Sequence, residues 1–261
     1  MSNLEYKVID VNESNLDKYG LFCHASKKKS PGYKNKEIWI KERFKEGLKL
    51  KLLLVKENGK FRSKGFIEYI PGEYAWRGIE AKGYMIIHCL WVKGLKGKYK
   101  GSGLDSILLE QCLKDAENMY GVAVVTEKTT WLPLPQLFRK HGFEKVDTFP
   151  PSFNLYVKRF SDTDPFPKFN SDMEDRRKEY FSGFTVFYSY QCPETLRMVE
   201  QIERFAKQEA IPVQKILIEN YKDAQNGIHP YGTSCYLLEG KVLSYHPDHI
   251  SRLITRLKSK D

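Results

Sequence analysis

The feature that most limits the fold is an apolar run at 84–92, set between Gly83 and Gly94 and followed at once by a glycine-rich loop and a helical pattern. An apolar run bounded by glycines reads as a buried central strand. The loop is Lys93-Gly94-Leu95-Lys96-Gly97-Lys98-Tyr99-Lys100-Gly101-Ser102-Gly103, after which Leu104, Ile107, Leu108, Cys112 and Leu113 recur at helical spacing. A strand that passes through glycines straight into a helix N-terminus suits an anion. The glycines let a phosphate approach the backbone, the first-turn amides donate to it, and Lys98 and Lys100 add positive charge. A plain turn explains the same glycines, so the surroundings of the loop decide between the two.

Those surroundings are regular. A helix is expected around 38–44, period-two alternation at 48–52 gives a strand, Asn58-Gly59 supplies a tight hairpin, and 61–70 returns as the partner strand. Residues 122–125 form the next buried strand, 138–142 a short helix, and 154–158 a last strand. The segment 161–168 then carries Pro165 and Pro167 with no periodicity, which marks a domain boundary. Beyond it come a strand at 184–188, a helix striped by Met198, Val199, Ile202, Phe205 and Ala206, and a strand at 213–218. A hairpin of 235–238 and 241–244 turns at Glu239-Gly240, and Ile250, Leu253, Ile254 and Leu257 stripe a terminal helix. The expected division is a first domain at 1–160, a linker at 161–180 and a second domain at 181–261. The order strand, helix, strand, hairpin, helix is that of a small thioredoxin-like α/β domain.

Composition removes several classes. The chain has 261 residues, enough for two domains. It has no apolar run near the ~18–20 residues a membrane-spanning helix needs. The N-terminus lacks a basic region followed by an apolar core, so no secretory signal is expected. Five cysteines, at 23, 89, 112, 192 and 235, are odd in number, scattered and without Cys-x-x-Cys spacing, which disfavours both a zinc site and a disulfide framework. The cytoplasm is the natural compartment. His246-Pro247-Asp248-His249 has no third ligand nearby and reads as a helix start, so no metal site is expected. Lys+Arg at 43 against Asp+Glu at 33 gives +10. That charge admits nucleic acid, but the lysines are scattered rather than interleaved with aromatic platforms, and it suits a polyanionic cofactor equally well.

The run from Lys98 to Gly103 is basic-x-x-Gly-x-Gly, between a central strand and a helix. A buried strand follows, and then Leu137-Phe138-Arg139-Lys140-His141-Gly142-Phe143. Over about residues 1–160 this resembles the acyl-CoA-binding core of the GNAT N-acetyltransferase superfamily. Across the whole chain, the segments 65–77 and 87–92 with Gln191-Cys192-Pro193 and Tyr231-Gly232-Thr233 look like the YoaP-type acetyltransferases, in which a GNAT domain precedes a short YoaP domain. The resemblance implies an α/β (α+β) GNAT fold, with a mixed, mostly antiparallel central sheet, followed by the small thioredoxin-like domain. It implies acetyl-CoA as cofactor and transfer of acetyl to a primary amine of a small molecule or peptide, by direct attack in a ternary complex. No membrane partner is expected, and a homodimer is compatible with it.

The resemblance also assigns residues. The strand before the loop splays from its neighbour, so the backbone of Leu90, Trp91 and Val92 would hold the pantetheine arm. Lys98, Tyr99, Lys100, Gly101, Ser102, Gly103 and Leu104 would hold the pyrophosphate. Lys98 replaces the family's usual Arg or Gln, which keeps the charge and loses Arg's planar fork. Phe138 lies along the cofactor, where the family's general acid is a Tyr, so Tyr69 or Tyr84 would stand in, or the thiolate leaves unassisted. His88 is the candidate base, on the same strand face as Leu90 by period-two counting; the alternative is a core histidine. By the same count Cys89 points away from His88, which disfavours an acyl-cysteine route. Glu68, Glu73, Trp76 and Arg77 would receive the acceptor, with carboxylates and an aromatic ring for a cationic amine and Arg77 for a carboxylate. In the second domain Cys192 precedes a helix, where a thiol pKa is lowered. Thr195 replaces a resolving cysteine, and Cys235 is the conceivable partner. The competing functions are a CoA-binding sensor without turnover and a monothiol redox protein using Cys192.

Overall fold

The period-two alternation at 48–52 and the Asn58-Gly59 turn become a long hairpin around which the first sheet is built. The computed structural model describes residues 4–128 and 131–247. In chain order the elements begin β1 (Tyr6–Val11), α1 (Leu16–Tyr19), α2 (Pro31–Lys45), β2 (Lys49–Glu57), β3 (Lys60–Pro71), β4 (Ile79–Glu80) and β5 (Tyr84–Val92). They continue with α3 (Leu104–Asp115), β6 (Gly121–Thr126), α4 (Pro135–Lys140), β7 (Glu144–Phe149), β8 (Phe153–Arg159) and β9 (Lys168–Phe169). The last are α5 (Met173–Arg177), β10 (Phe184–Tyr188), α6 (Pro193–Gln208), β11 (Val213–Leu217), α7 (Tyr221–Gln225), β12 (Ser234–Leu238) and β13 (Lys241–Ser244). The helix read at Ile250, Leu253, Ile254 and Leu257 lies outside the described residues.

Two compact units result. The first comprises the chain before Ser26, Lys41–Ala75 and Glu80–Phe169; the second comprises Ser26–Ile40, Trp76–Ile79 and the chain from Asn170 onward. The sequence places a linker at 161–180, whereas the division falls between Phe169 and Asn170 and gives two early segments to the second unit.

The first unit holds a seven-stranded mixed sheet in the order β1-β2-β3-β5-β6-β8-β7. All pairs are antiparallel except β5 with β6. The parallel pair needs a crossover, and α3 supplies it. Leu104, Leu108, Leu109 and Cys112 form the buried face of α3 and pack on Leu53, Val55, Ile67, Tyr69, Met85, Ile87, Leu90 and Val92. Each fully buried leucine there contributes about 1.5–3 kcal/mol.

The second unit carries a four-stranded sheet in the order β11-β10-β12-β13, with β10 and β11 parallel and the remaining pairs antiparallel. Pro193 opens α6, and the expected stripe of Met198, Val199, Ile202 and Ala206 buries against Phe184, Val186, Tyr236 and Leu243. Asn220 caps α7 by accepting from the amides of Lys222 and Asp223 at 2.9 and 3.1 Å.

Candidate functional site

Strand β5 and the loop after it form an open edge that leads into a helix start. The β5–β6 ladder runs only from Tyr84↔Gly121 to Ile87↔Val124, although β5 continues to Val92 and β6 to Thr126. Past Ile87 the two strands diverge into a fork. On its other edge β5 keeps its pairing with β3, through Leu90↔Ile67 and Val92↔Gly65. The backbone groups on the fork side are therefore offered to an extended ligand that pairs as a strand would.

At the mouth of the fork, Gly101 and Gly103 are left-handed, with φ of 69° and 72°, and a Cβ added at either meets nothing within 4 Å. Gly103 is the N-cap of α3 and brings no side-chain cap; the Ser106 amide donates to Asp105 Oδ1 at 3.0 Å, and the amides before it open onto that clear space. The loop folds on itself through Tyr99 N to Gly94 O at 3.0 Å and Ser102 N to Tyr99 O at 3.2 Å. An open strand edge leading to a glycine loop and a helix start fits an acyl-CoA, whose long pantetheine arm is joined to a pyrophosphate.

The loop side chains are used differently from the sequence expectation. Lys98, read as a pyrophosphate ligand, pairs with Glu57, which also binds Lys64 and the Tyr99 hydroxyl. Bonds from Lys64, then Lys98 and Tyr99, lower the Glu57 carboxyl to about 2. Tyr99 itself is buried in the core beneath α3. Glu57 is thus the anchor of the loop, and nothing in its spacing marks it in the sequence. Phe138 is also a core residue, fully buried and edge-on to Phe143 at 5.3 Å, rather than exposed along a ligand groove. Lys100 is exposed and Ser102 half-buried, with its Oγ donating to Tyr99 O.

Counting by twos fails at His88. Cys89 pairs with Glu68 and Ile87 with Tyr69, so two residues, His88 and Cys89, stand opposite the single Glu68 in a β-bulge. Met85, Ile87, Leu90 and Val92 all face α3, at spacings two, three and two. His88 turns to the opposite face, with Nδ1 at 3.5 Å from Glu68 Oε1, and Cys89 lies beside the same carboxylate. The expectation that His88 shares a face with Leu90 and opposes Cys89 is therefore corrected. The bulge occurs at the fork, and it brings together a carboxylate and an imidazole, each 2% exposed, with a half-buried thiol beside them.

Neither stand-in acid joins them. The Tyr69 hydroxyl is on the α3 face and donates to Asp115 at 2.7 Å. Burial, Cys112 and Asp115 together push that phenol well above its ordinary value. Burial works against Asp115, yet its bonds from Tyr69 and Lys51 hold its carboxyl below the usual range. Tyr84 donates to Pro165 O at 2.7 Å, four residues from His88, about 13 Å along a strand.

The acceptor group expected from sequence is divided. Glu68 is at the bulge, and Glu73 accepts from the amide of Gly83 at 3.2 Å. Trp76 and Arg77 belong to the second unit. Trp76 is fully buried with its ring edge-on to Trp39 at 5.1 Å. The Arg77 guanidinium donates to Trp76 O, Tyr231 O, Gln191 Oε1 and Thr233 Oγ1 at 2.7–3.3 Å. This is a structural tie rather than an open carboxylate clamp.

Cys192 is the N-cap of α6. Burial raises its thiol despite the Glu194 amide and the Lys36 charge, so the lowering expected of a helix start does not prevail. Burial pushes Cys235 up to about 12. Cys235 pairs with Phe187, while the adjacent Tyr236↔Val186 pair faces α6, so the sheet lies between Cys235 and the helix that begins at Cys192. Among the described residues no group of three or more His, Cys, Asp or Glu could hold a metal ion.

The first unit is thus a mixed sheet that forks beside a glycine loop opening a helix. Over 246 residues the chain is 29% identical to an uncharacterized N-acetyltransferase, YoaP, of Bacillus subtilis (strain 168), covering 91% of this chain and 92% of that protein. No protein-family model matches. Among solved structures, the N-acetyltransferase PseH of Campylobacter jejuni covers 60% of this chain and 99% of its own, at 13% identity and a TM-score of 0.38. The PaiA N-acetyltransferase of Thermoplasma acidophilum, solved in complex with coenzyme A, covers 60% and 99%, at 16% identity and a TM-score of 0.38. No helix among the described residues is long and apolar enough to cross a membrane.

Proposed function

We propose that this protein is an acetyl-CoA-dependent N-acetyltransferase with a GNAT fold in its first unit, passing acetyl to a primary amine of a small molecule or peptide by direct attack in a ternary complex. The observation that carries this reading is the fork: β5 loses its β6 partner after Ile87, at the point where the bulge presents His88 and Glu68 and the strand leads into the glycine loop. Similarity to the Bacillus subtilis protein over about nine-tenths of both chains supports it.

When bound, acetyl-CoA supplies an acyl carbon activated as a thioester. The backbone of Leu90, Trp91 and Val92 holds the pantetheine arm along the open edge, and the amides of Gly101, Gly103 and Leu104 receive the pyrophosphate. Lys100 adds charge from the surface, while Lys98 acts through Glu57 to shape the loop. His88 removes the ammonium proton so that the nitrogen attacks as a neutral nucleophile. Glu68, its Oε1 3.5 Å from Nδ1, orients the imidazole. The Tyr69 and Tyr84 hydroxyls are bonded elsewhere, so as the C–S bond breaks the proton held by His88 passes to the departing thiolate, and the second proton, shed by the nitrogen as the amide forms, is taken up by the freed imidazole and lost to solvent.

The order of β10 to β13, with α6 crossing between the parallel pair, supports a thioredoxin-like second domain. Its half-buried Cys192, with the thiol raised rather than lowered, speaks against the redox alternative. Calorimetric titration with acetyl-CoA, CoA and NADH tests the whole reading. Saturable binding of the CoA species alone, at roughly micromolar to millimolar concentrations, is expected. Absence of CoA binding refutes it.

A further inference from the structure

The face of the sheet that carries Glu68 also carries three aromatic rings. Phe66 pairs with Trp91 one step along from the Glu68↔Cys89 pair, and the intervening Ile67↔Leu90 pair turns to α3. Phe22 stacks on Phe66 at 5.3 Å and 22°, and lies 5.4 Å from the Trp91 indole. Phe66 is 5% exposed, whereas Trp91 is 45% exposed despite lying on a central strand. An indole left open on such a strand and backed by two rings presents a planar apolar surface, which favours stacked or edge-on aromatic ligands.

We propose that the acceptor is an arylalkyl primary amine, its ring on the open Trp91 indole that Phe22 and Phe66 back and its nitrogen directed to Glu68 and His88. This deepens the acetyltransferase reading and rests on it. The carboxylate complements the ammonium, and the rings complement the aryl group. Two residues along a strand span about 7 Å, so the ring and nitrogen are best separated by two or three carbons. An alkylamine of equal length fills the same path without stacking, and a diamine sets its second charge against the rings.

Full-length protein is titrated calorimetrically with phenethylamine, hexylamine and diaminopentane, beside the Trp91→Ala and Phe22→Leu variants. Phenethylamine is expected to bind about tenfold tighter than hexylamine, with Trp91→Ala abolishing the preference and Phe22→Leu reducing it. Equal binding of hexylamine or diaminopentane overturns the proposal, as does a preference that survives in both variants. Should Trp91→Ala fail to fold, Phe22→Leu decides alone. A parallel acetyl-CoA titration separates the two claims. Loss of CoA binding removes the acetyltransferase reading, while the amine preference still judges the aromatic surface.

Discussion

Gly101→Ala separates the fold of the loop from its function. At Gly101 φ is +69° and a Cβ meets nothing within 4 Å, so the free protein bears only the left-handed strain of an alanine, about 1–2 kcal/mol. In a protein of this size that lowers Tm by roughly 2–8 °C. The cost to a bound pyrophosphate is larger, because the methyl group occupies the clear space through which the phosphate reaches the amides. Losing one or two hydrogen bonds to a charged group removes about 2–5 kcal/mol, or some 30-fold to several thousand-fold in Kd. Gly59→Ala is the matched control: φ is +76° and its Cβ also meets nothing within 4 Å, but it sits in the β2–β3 turn. Calorimetry with acetyl-CoA and thermal melts on both variants should show similar melting losses and a binding loss confined to Gly101→Ala. Unchanged affinity in Gly101→Ala would refute the argument that this loop receives the pyrophosphate.

Other outcomes follow from the geometry. His88→Ala should lower kcat by about 10²–10⁴-fold with acetyl-CoA affinity retained, and Glu68→Gln should shift the pH–rate profile; an unmoved profile makes both residues structural. His229 is buried and neutral, with burial, then Arg177, His246 and Arg77, lowering its pKa from 6.5 to about 3, and its Nδ1 accepts from the Gly232 amide at 3.3 Å. Below pH 6.5 the unfolded chain binds the extra proton. Stability is therefore full above pH 6.5 and declines toward pH 3, by up to about 5 kcal/mol, in urea titrations across that range. His229→Asn, which retains an acceptor, should flatten that dependence. Leu108→Ala should cost about 2–5 kcal/mol in chemical denaturation, since the side chain is fully buried between α3 and the sheet; a loss under 1 kcal/mol would mean the cavity collapses.

The local pattern of the sequence determined much of this protein. Period-two alternation and Asn58-Gly59 specified the β2–β3 hairpin, the glycine-bounded apolar run specified β5, and the apolar stripes specified α3 and α6. Each depends on neighbours a few residues apart, whose spacing alone selects the buried face. Strand β7, with the polar sequence Glu-Lys-Val-Asp-Thr-Phe, was silent because an edge strand has little apolar surface to hide. Tertiary structure decided the chemistry. The bulge that turns His88 toward Glu68 exists only because β3 and β5 pair in that register, and a one-residue shift changes the face of every side chain beyond it. Lys98 was legible as a charge, but its engagement by Glu57 arises from a contact 41 residues away. Arg77 likewise reads as a surface clamp until Tyr231 and Thr233, 154 and 156 residues further along, surround it with acceptors. Helix and strand preferences are near-neighbour energies and are written in the sequence; the partners of a charge are set by which distant segments fold together to bury it.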